Sequence, residues 1–224
     1  VRLSVVVPTL NEEASLAGTL TALREQSPLE VIVVDGGSTD GTSRIASAAD
    51  RLLTGVRGRA AQMNLGAANA RGDALLFLHA DCRPEAGALA EALRLLGRRG
   101  VAAGCFRMRV AAEGWGYRAI DWCATARVRL TGIVYGDQGL FVRREVFERV
   151  GGFPAVRLME DVLISRRLRR KGRVVVAERR LFVSPRRWQR VGLVRQTLRN
   201  WALTALAAGG VPPDRLARFY PAVR

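Results

Sequence analysis

Short runs of consecutive apolar, mostly β-branched residues alternate along the chain with longer stretches whose apolar positions recur every three or four residues. Runs of the first kind suit strands buried on both faces, and stretches of the second kind suit helices with one apolar face. Their alternation predicts a parallel sheet wrapped by helices. Leu3 to Val7 reads as a first strand stopped by Pro8, and Asn11 to Gln26 as a helix. Val31 to Val34 is a second strand ending in the turn cluster Asp35-Gly36-Gly37-Ser38, after which Thr39 or Asp40 would cap a short helix to Ala48. Arg51 to Thr54 reads as a third strand. Arg59 to Ala70 is a small-residue helix carrying Gln62, Asn64 and Asn69, and Ala74 to Leu78 is a fourth strand. A helix from Glu85 to Leu96 and a strand from Val101 to Val110 complete this half.

After Ala111 the rhythm changes. Trp115 to Leu130 reads as a helix with its aromatics spaced for packing, and Gly136 to Gly139 as a loop feeding the strand Leu140 to Val142. Glu160 to Lys171 is a highly charged helix, and Val174 to Val176 and Leu181 to Val183 read as two short strands. No repeat, low-complexity tract or linker interrupts the pattern, which predicts one α/β domain over residues 1–224 with a mostly parallel sheet. Trp201 to Val211 is apolar but too short to span a bilayer, and Gly209, Gly210, Pro212 and Pro213 end it. A buried terminal helix is expected there. The alternative is a helix lying on an anionic membrane, prompted by Arg195, Arg199 and Trp201.

Composition adds three points. With 49% hydrophobic and 25% charged residues the chain is an ordinary globular mixture. Cys82, Cys105 and Cys123 follow no metal or disulfide spacing, which favours a reducing, cytoplasmic setting. No stretch resembles a signal peptide, and the opening Val1 fits a trimmed or renumbered start. The net charge of +16, carried by arginine with Lys171 the only lysine, would attract phosphates on nucleotides, nucleic acid or lipid. The basic residues are spread along the chain with no nucleic-acid-binding motif, so a nucleic-acid partner is not expected.

Polar clusters follow three of the first four strands: Thr9, Asn11 and Glu12; Asp35 to Asp40; and His79-Ala80-Asp81. In an open parallel sheet the carboxyl ends of the strands line the binding crevice, so these loops converge on one site. Glu160-Asp161 opens a helix after the Gly151-Gly152-Phe153 turn. Arg57-Gly58-Arg59 precedes another helix, where guanidinium and backbone N–H groups meet phosphate, and Arg186-Arg187-Trp188 follows the last strand. Plainer roles compete: Asp35 and Asp40 as turn and cap residues, Asp161 as a helix-dipole partner, the arginines as solvated surface, and the lone histidine as a structural hydrogen-bonding group.

The segments Val5-Val6-Val7-Pro8-Thr9-Leu10-Asn11-Glu12-Glu13, Val33-Val34-Asp35-Gly36-Gly37-Ser38-Thr39-Asp40-Gly41-Thr42 and Leu76-Phe77-Leu78-His79-Ala80-Asp81 resemble the family 2 glycosyltransferases. Glu160-Asp161 with Arg166-Arg167-Leu168 extends the likeness to about Lys171. The His-Ala-Asp variant is most similar to a small bacterial subgroup named for arsenosugar biosynthesis or radical-SAM-associated clusters. The resemblance implies a GT-A (Rossmann-like) fold, an inverting transferase, a nucleotide-sugar donor (UDP-sugar favoured) and a divalent cation, Mn²⁺ or Mg²⁺. It implies a nucleotide-sugar-binding half, 1–110, and an acceptor and catalytic half, 111–224.

Carried onto this chain, Pro8, Thr9 and Glu12 line the nucleoside pocket and Asp35 accepts a base N–H. Asp81 bridges ribose and metal-diphosphate, with His79 as a second metal ligand. Arg57, Arg59, Arg186 and Arg187 meet the diphosphate. Asp137 and Gln138 face the acceptor, Asp161 is the catalytic base, and Glu160 beside it positions the acceptor or the metal-diphosphate side. Two departures stand out: Gly36 replaces a carboxylate of the usual Asp-Asp-Gly-Ser, and His79 replaces the first aspartate of Asp-x-Asp. Histidine suits Mn²⁺ better than Mg²⁺. A nucleotidyltransferase is the alternative enzyme class, but its glycine-rich basic loop is missing where Pro8 to Glu12 stands. The acceptor stays unnamed, and weak peripheral contact with the inner face of the membrane through the C-terminal segment is an added expectation.

Overall fold

The buried β-branched runs form one eight-stranded sheet whose first half follows the pattern closely. A computed structural model describes residues 1–55, 57–216 and 219. In chain order the elements begin β1 (Leu3–Thr9), α1 (Glu13–Arg24), β2 (Glu30–Asp35), α2 (Thr42–Ala46), β3 (Arg51–Thr54), α3 (Arg59–Asn69) and β4 (Ala74–Phe77). There follow β5 (Cys82–Pro84), α4 (Ala88–Leu96), β6 (Val101–Val110), α5 (Trp115–Thr131), a 3-10 turn (Gly136–Gln138) and β7 (Leu140–Arg143). The chain continues through α6 (Arg144–Arg149), α7 (Glu160–Arg169), β8 (Arg173–Val183), α8 (Arg186–Val191), α9 (Leu193–Ala208) and α10 (Pro213–Leu216).

The strands lie in the order β3-β2-β1-β4-β7-β6-β8-β5. The β3-β2-β1-β4 block is parallel, but β7 runs antiparallel to both β4 and β6, and β5 antiparallel to β8. With β8 parallel to β6, every strand but β7 and β5 runs the same way, so the sheet is mostly parallel with two reversed strands, and it carries strands from both halves of the chain. Alternation along β1 sorts the core. Val5 and Val7 pack on the α1 side, while Val6 faces α3, where a Cβ on Gly66 would lie 2.3 Å from Val6 Cγ1. That close seat holds α3 against the ends of β1 and β2.

Several expectations change. Pro8 does not stop β1, which continues to Thr9. Pairing with β4 ends at Val6, so the absent N–H of Pro8 faces no partner on that side, while the β2 ladder runs on to Asp35. The two short strands expected near the C-terminus are one, β8, which keeps its course through the polar Glu178 to Arg180. There β6 shifts register, and carboxylates outside the sheet take over: Glu91 accepts the N–H groups of Glu178 and Arg179, and Glu85 that of Arg180. Strand β5 and helix α6 were unforeseen.

Of the α5 aromatics only Tyr117 packs against the core as expected; Trp115 is 87% and Trp122 72% exposed. The terminal helix α9 is not buried either; Gln196 and Leu203 face inward while Val194, Leu198, Trp201 and Leu206 face solvent. Among the described residues no helix is long and apolar enough to cross a membrane. The three cysteines are free thiols, and burial pushes Cys105 up to about 12.

Candidate functional site

The carboxyl ends of β1, β2 and β4 share one edge of the sheet, and their loops are sewn together by short polar side chains. Asn11, at a left-handed φ of 54°, donates its N–H to Ser38 Oγ at 2.8 Å and accepts the Thr39 N–H on Oδ1 at 2.9 Å. Asparagine is among the residues that enter this region most readily. Glu12 donates its N–H to Thr42 Oγ1 at 2.8 Å, and Asp40 Oδ1 accepts the Thr42 N–H at 3.0 Å.

Asp35 organises this loop. Its carboxylate accepts Ser38 N–H at 3.0 Å, Ser43 Oγ at 3.2 Å, Thr9 Oγ1 at 3.2 Å and the Ser38 hydroxyl. Burial alone would raise this carboxyl, but those donors outweigh it and hold it below the usual aspartate range. Gln62 reaches from α3 to donate to Thr9 O and Val34 O, each at 2.7 Å. A Cβ at Gly36 would stand 3.1 Å from Gln62 Nε2, so a larger residue there would require the Gln62 amide to give way.

Strand β5 delivers the arginines. By pairing Cys82 with Val183 and Pro84 with Leu181, it sets the start of α8 above the β4 loop. Arg186 Nη2 donates to Glu12 Oε1 at 2.6 Å and stands 3.2 Å from Asp81 Oδ2, bridging two of the expected donor-side carboxylates. Arg187 lies close enough to lower the His79 pKa and to oppose the rise at Asp137. Arg57 is exposed, whereas Arg59 is bound inward, Nε to Glu160 Oε1 at 2.7 Å.

Beyond β4 the chain builds a tighter cluster. His79 is half-buried, with its Nε2 shut away from solvent and without a hydrogen-bond partner among the described residues. Burial first, then Arg59, push its pKa down to about 4 against the pull of Asp81, so it is a neutral imidazole at pH 7. A Cβ on Gly136 would stand 2.6 Å from that nitrogen and 3.7 Å from Asp161 Oδ2. Only glycine lets the 3-10 turn come this close. Asp161 Oδ2 in turn accepts the Gly136 N–H at 2.7 Å, and Oδ1 accepts the Val162 N–H at 2.7 Å. Met159, at a left-handed φ of 66°, turns the chain into α7 so that Glu160 and Asp161 open the helix.

Glu160 is buried, and its carboxyl is raised by that burial, with Arg59 pulling the other way and Asp161 adding to the rise. Asp137 Oδ1 is buried without a partner, and its carboxyl is raised by burial, with Arg127 opposing and Asp161 and Asp81 reinforcing. Gln138 is fully buried and turned away from the cluster, its amide bonded to Arg127 and to Ala124 O, so it holds the turn to α5 instead of facing an acceptor.

A crevice lined by Met63, Phe77, Tyr135 and Phe153 runs beneath His79, Glu160 and Asp161. Asn64 fixes its wall by gripping Phe153 at both backbone groups, O at 2.8 Å and N at 2.9 Å. Sequence reading had marked Gln62 and Asn64 only as polar positions on a helix.

As a metal site the donor set is small: the neutral, unpartnered His79 nitrogen and the Asp81 carboxylate, a nitrogen–oxygen pair that fits Mn²⁺ better than Mg²⁺. No cage of three or more such side chains forms among the described residues.

The family described as glycosyl transferase family 2 matches residues 4–155. Glycosyltransferase AglE of Haloferax volcanii is 30% identical over 168 residues, 67% of this chain and 55% of the relative. The chain thus spans about half the length of the curated relative it matches. Mannosyltransferase PcManGT of Pyrobaculum calidifontis, solved with GDP-Man and Mn²⁺, is 25% identical with a TM-score of 0.63, covering 81% of this chain and 56% of that one. S. aureus TarS 1-349, solved with UDP-GlcNAc, superimposes with a TM-score of 0.66 at 19% identity over 82% of this chain and 58% of that one. The α/β architecture is that of GT-A glycosyltransferase structures.

Proposed function

The chain belongs to glycosyl transferase family 2, and from that premise we propose that it moves a sugar from a nucleoside-diphosphate donor onto an acceptor hydroxyl, inverting the anomeric carbon. The observation that carries this reading is the meeting of donor-side and acceptor-side groups at one sheet edge. Arg186 ties Glu12 to Asp81, and Asp161 lies across Gly136 from His79. One sheet through both halves supports treating residues 1–224 as a single unit. The His79-Ala80-Asp81 motif supports placement in the small bacterial arsenosugar or radical-SAM-associated subgroup.

In this mechanism Pro8, Thr9 and Glu12 line the nucleoside, and Asp35 accepts a uracil N–H after one of its hydroxyl donors rotates aside. Arg186 and Arg187, with Arg57 at the rim, meet the diphosphate. Arg59 holds Glu160, and Glu160 sets the start of the helix that carries Asp161. The Asp161 carboxylate takes the proton of the acceptor hydroxyl as its oxygen attacks the anomeric carbon. The bond from that carbon to the diphosphate breaks on the opposite face, and the arginines receive the developing negative charge. Asp137 lines the acceptor side of the same turn. A divalent ion held by Asp81 and His79 would supply further charge neutralisation at the diphosphate.

A donor panel tests the reading. A bound nucleotide sugar at one hundred times its dissociation constant stabilises the fold by about 2.7 kcal/mol. Thermal shifts with UDP-sugars, larger with Mn²⁺ than with Mg²⁺, are expected. A shift with GDP-mannose alone would move the donor assignment toward that of PcManGT. No shift with any nucleotide sugar would remove the transferase reading.

A further inference from the structure

Helices α5 and α9 lie side by side and each turns an apolar face outward. A Cβ on Gly116 would touch Leu193 Cδ1 at 3.1 Å near their starts, and Tyr135 OH bonds Thr204 Oγ1 at 2.6 Å near their ends. On α5 the outward residues Trp115, Trp122 and Leu130 recur seven and eight positions apart, and Leu130 is 84% exposed. On α9 Leu198, Trp201 and Leu206 form a second stripe, with Trp201 56% exposed. Indole and leucine side chains gathered on neighbouring helices make an apolar surface that water solvates poorly.

The charge around this face selects its occupant. From Trp188 to Pro213 the chain carries Arg190, Arg195 and Arg199 and no acidic residue. The single acid of α5, Asp121, is buried and paired with Arg118 at 2.8 Å. A second copy meeting this face through a two-fold axis would bring together two arginine-bearing surfaces of the same sign. An anionic lipid surface complements both properties. We propose that the α5–α9 face docks on an anionic bilayer, its tryptophans and leucines entering the headgroup boundary while its arginines meet lipid phosphates. The Tyr135–Thr204 bond then sets the Gly136 turn, and with it the mouth beside Asp161, next to the lipid surface.

Vesicle flotation of the full chain, with neither donor nor acceptor present, tests this independently of the transferase reading. Vesicles containing phosphatidylglycerol should carry the protein at least about tenfold better than pure phosphatidylcholine, since each arginine near such a surface is worth about 1 kcal/mol. Brominated lipids should quench tryptophan fluorescence. The double variants Leu198→Glu/Trp201→Glu and Trp115→Glu/Trp122→Glu should each lose flotation while keeping the wild-type melting curve, because all four side chains are exposed. Equal partition into the two vesicle types, or flotation that survives both double variants, would overturn the proposal. So would a dimer in sedimentation velocity that dissociates in the same variants without any vesicle binding, which assigns the face to a second copy.

Discussion

The loops that close β1 and β2 and the cluster around His79 share one sheet edge, yet they treat their polar atoms in opposite ways. On the first side nearly every group is answered from within: Asp35 by Ser38, Ser43 and Thr9, and the Thr9 and Val34 carbonyls by Gln62. On the second, His79 Nε2 and Asp137 Oδ1 are buried with no partner among the described residues, and Glu160 keeps a raised carboxyl against the pull of Arg59. An unanswered buried polar group costs about 1–3 kcal/mol. The first side thus behaves as scaffold, and in the proposed transferase the open atoms of the second are where a ligand would supply partners.

The strongest way to break this contrast is at Asp161. Asp161→Asn keeps the size of the side chain but cannot take a proton, so turnover should fall by about 10²–10⁴ while donor affinity in calorimetry is unchanged. Near-wild-type turnover with a working acceptor would leave Asp137 as the next carboxylate. A smaller effect belongs to the bridge between the two sides. Arg186→Ala should weaken nucleotide-sugar binding roughly ten- to hundredfold, the worth of a charge-assisted hydrogen bond. Tighter binding would mean that Arg186 shields Glu12 and Asp81 from the ligand.

On the scaffold side, Gln62→Leu removes the donor from two buried carbonyls and should lower stability by about 1–3 kcal/mol in urea unfolding. On the open side the sign reverses. Asp137→Asn should raise stability at neutral pH, because the amide carries no charge for the fold to desolvate. Burial raises the Asp137 carboxyl, so the folded protein gives up this proton at a higher pH than the unfolded chain does. Wild-type stability therefore declines as pH climbs from the ordinary aspartate value through the raised one, and the variant should lack that part of the slope. Equal loss of stability in both variants would erase the distinction.

Much of the scaffold was legible because its signals are local. Arg51–Thr54 and Val101–Val110 are read from the sequence with their observed bounds, since apolar runs between turn residues report burial directly. Strand β5 was not, because three residues ending in Pro84 become a strand only by pairing with a segment about a hundred positions away. The polar stretch within β8 looked like a break because its amides are answered by Glu85 and Glu91, carboxylates from outside the sheet. The site divides similarly. Thr9, Asp35, Asp81 and Asp161 were singled out from strand ends and a helix start, and the structure sets Thr9 beside Asp35 and Arg186 beside Asp81. The Arg186 bridge to Glu12 spans 174 positions, and the inward turn of Gln138 depends on Arg127 of a helix whose orientation no periodicity fixes.

Met159 ties these regions together in one residue. Its backbone sits in a conformation that glycine would adopt at ease, while its side chain packs with Leu158, Leu203 and Leu216 beneath α9. Evolution or design can therefore relax this corner only by trading one comfort for the other. Glycine would ease the turn but unfasten α9 from the helix that presents Asp161, and a β-branched residue would strain the turn further. Position 159 is thus a narrow place in sequence space, where variation in α9 and variation at the start of α7 cannot be inherited separately.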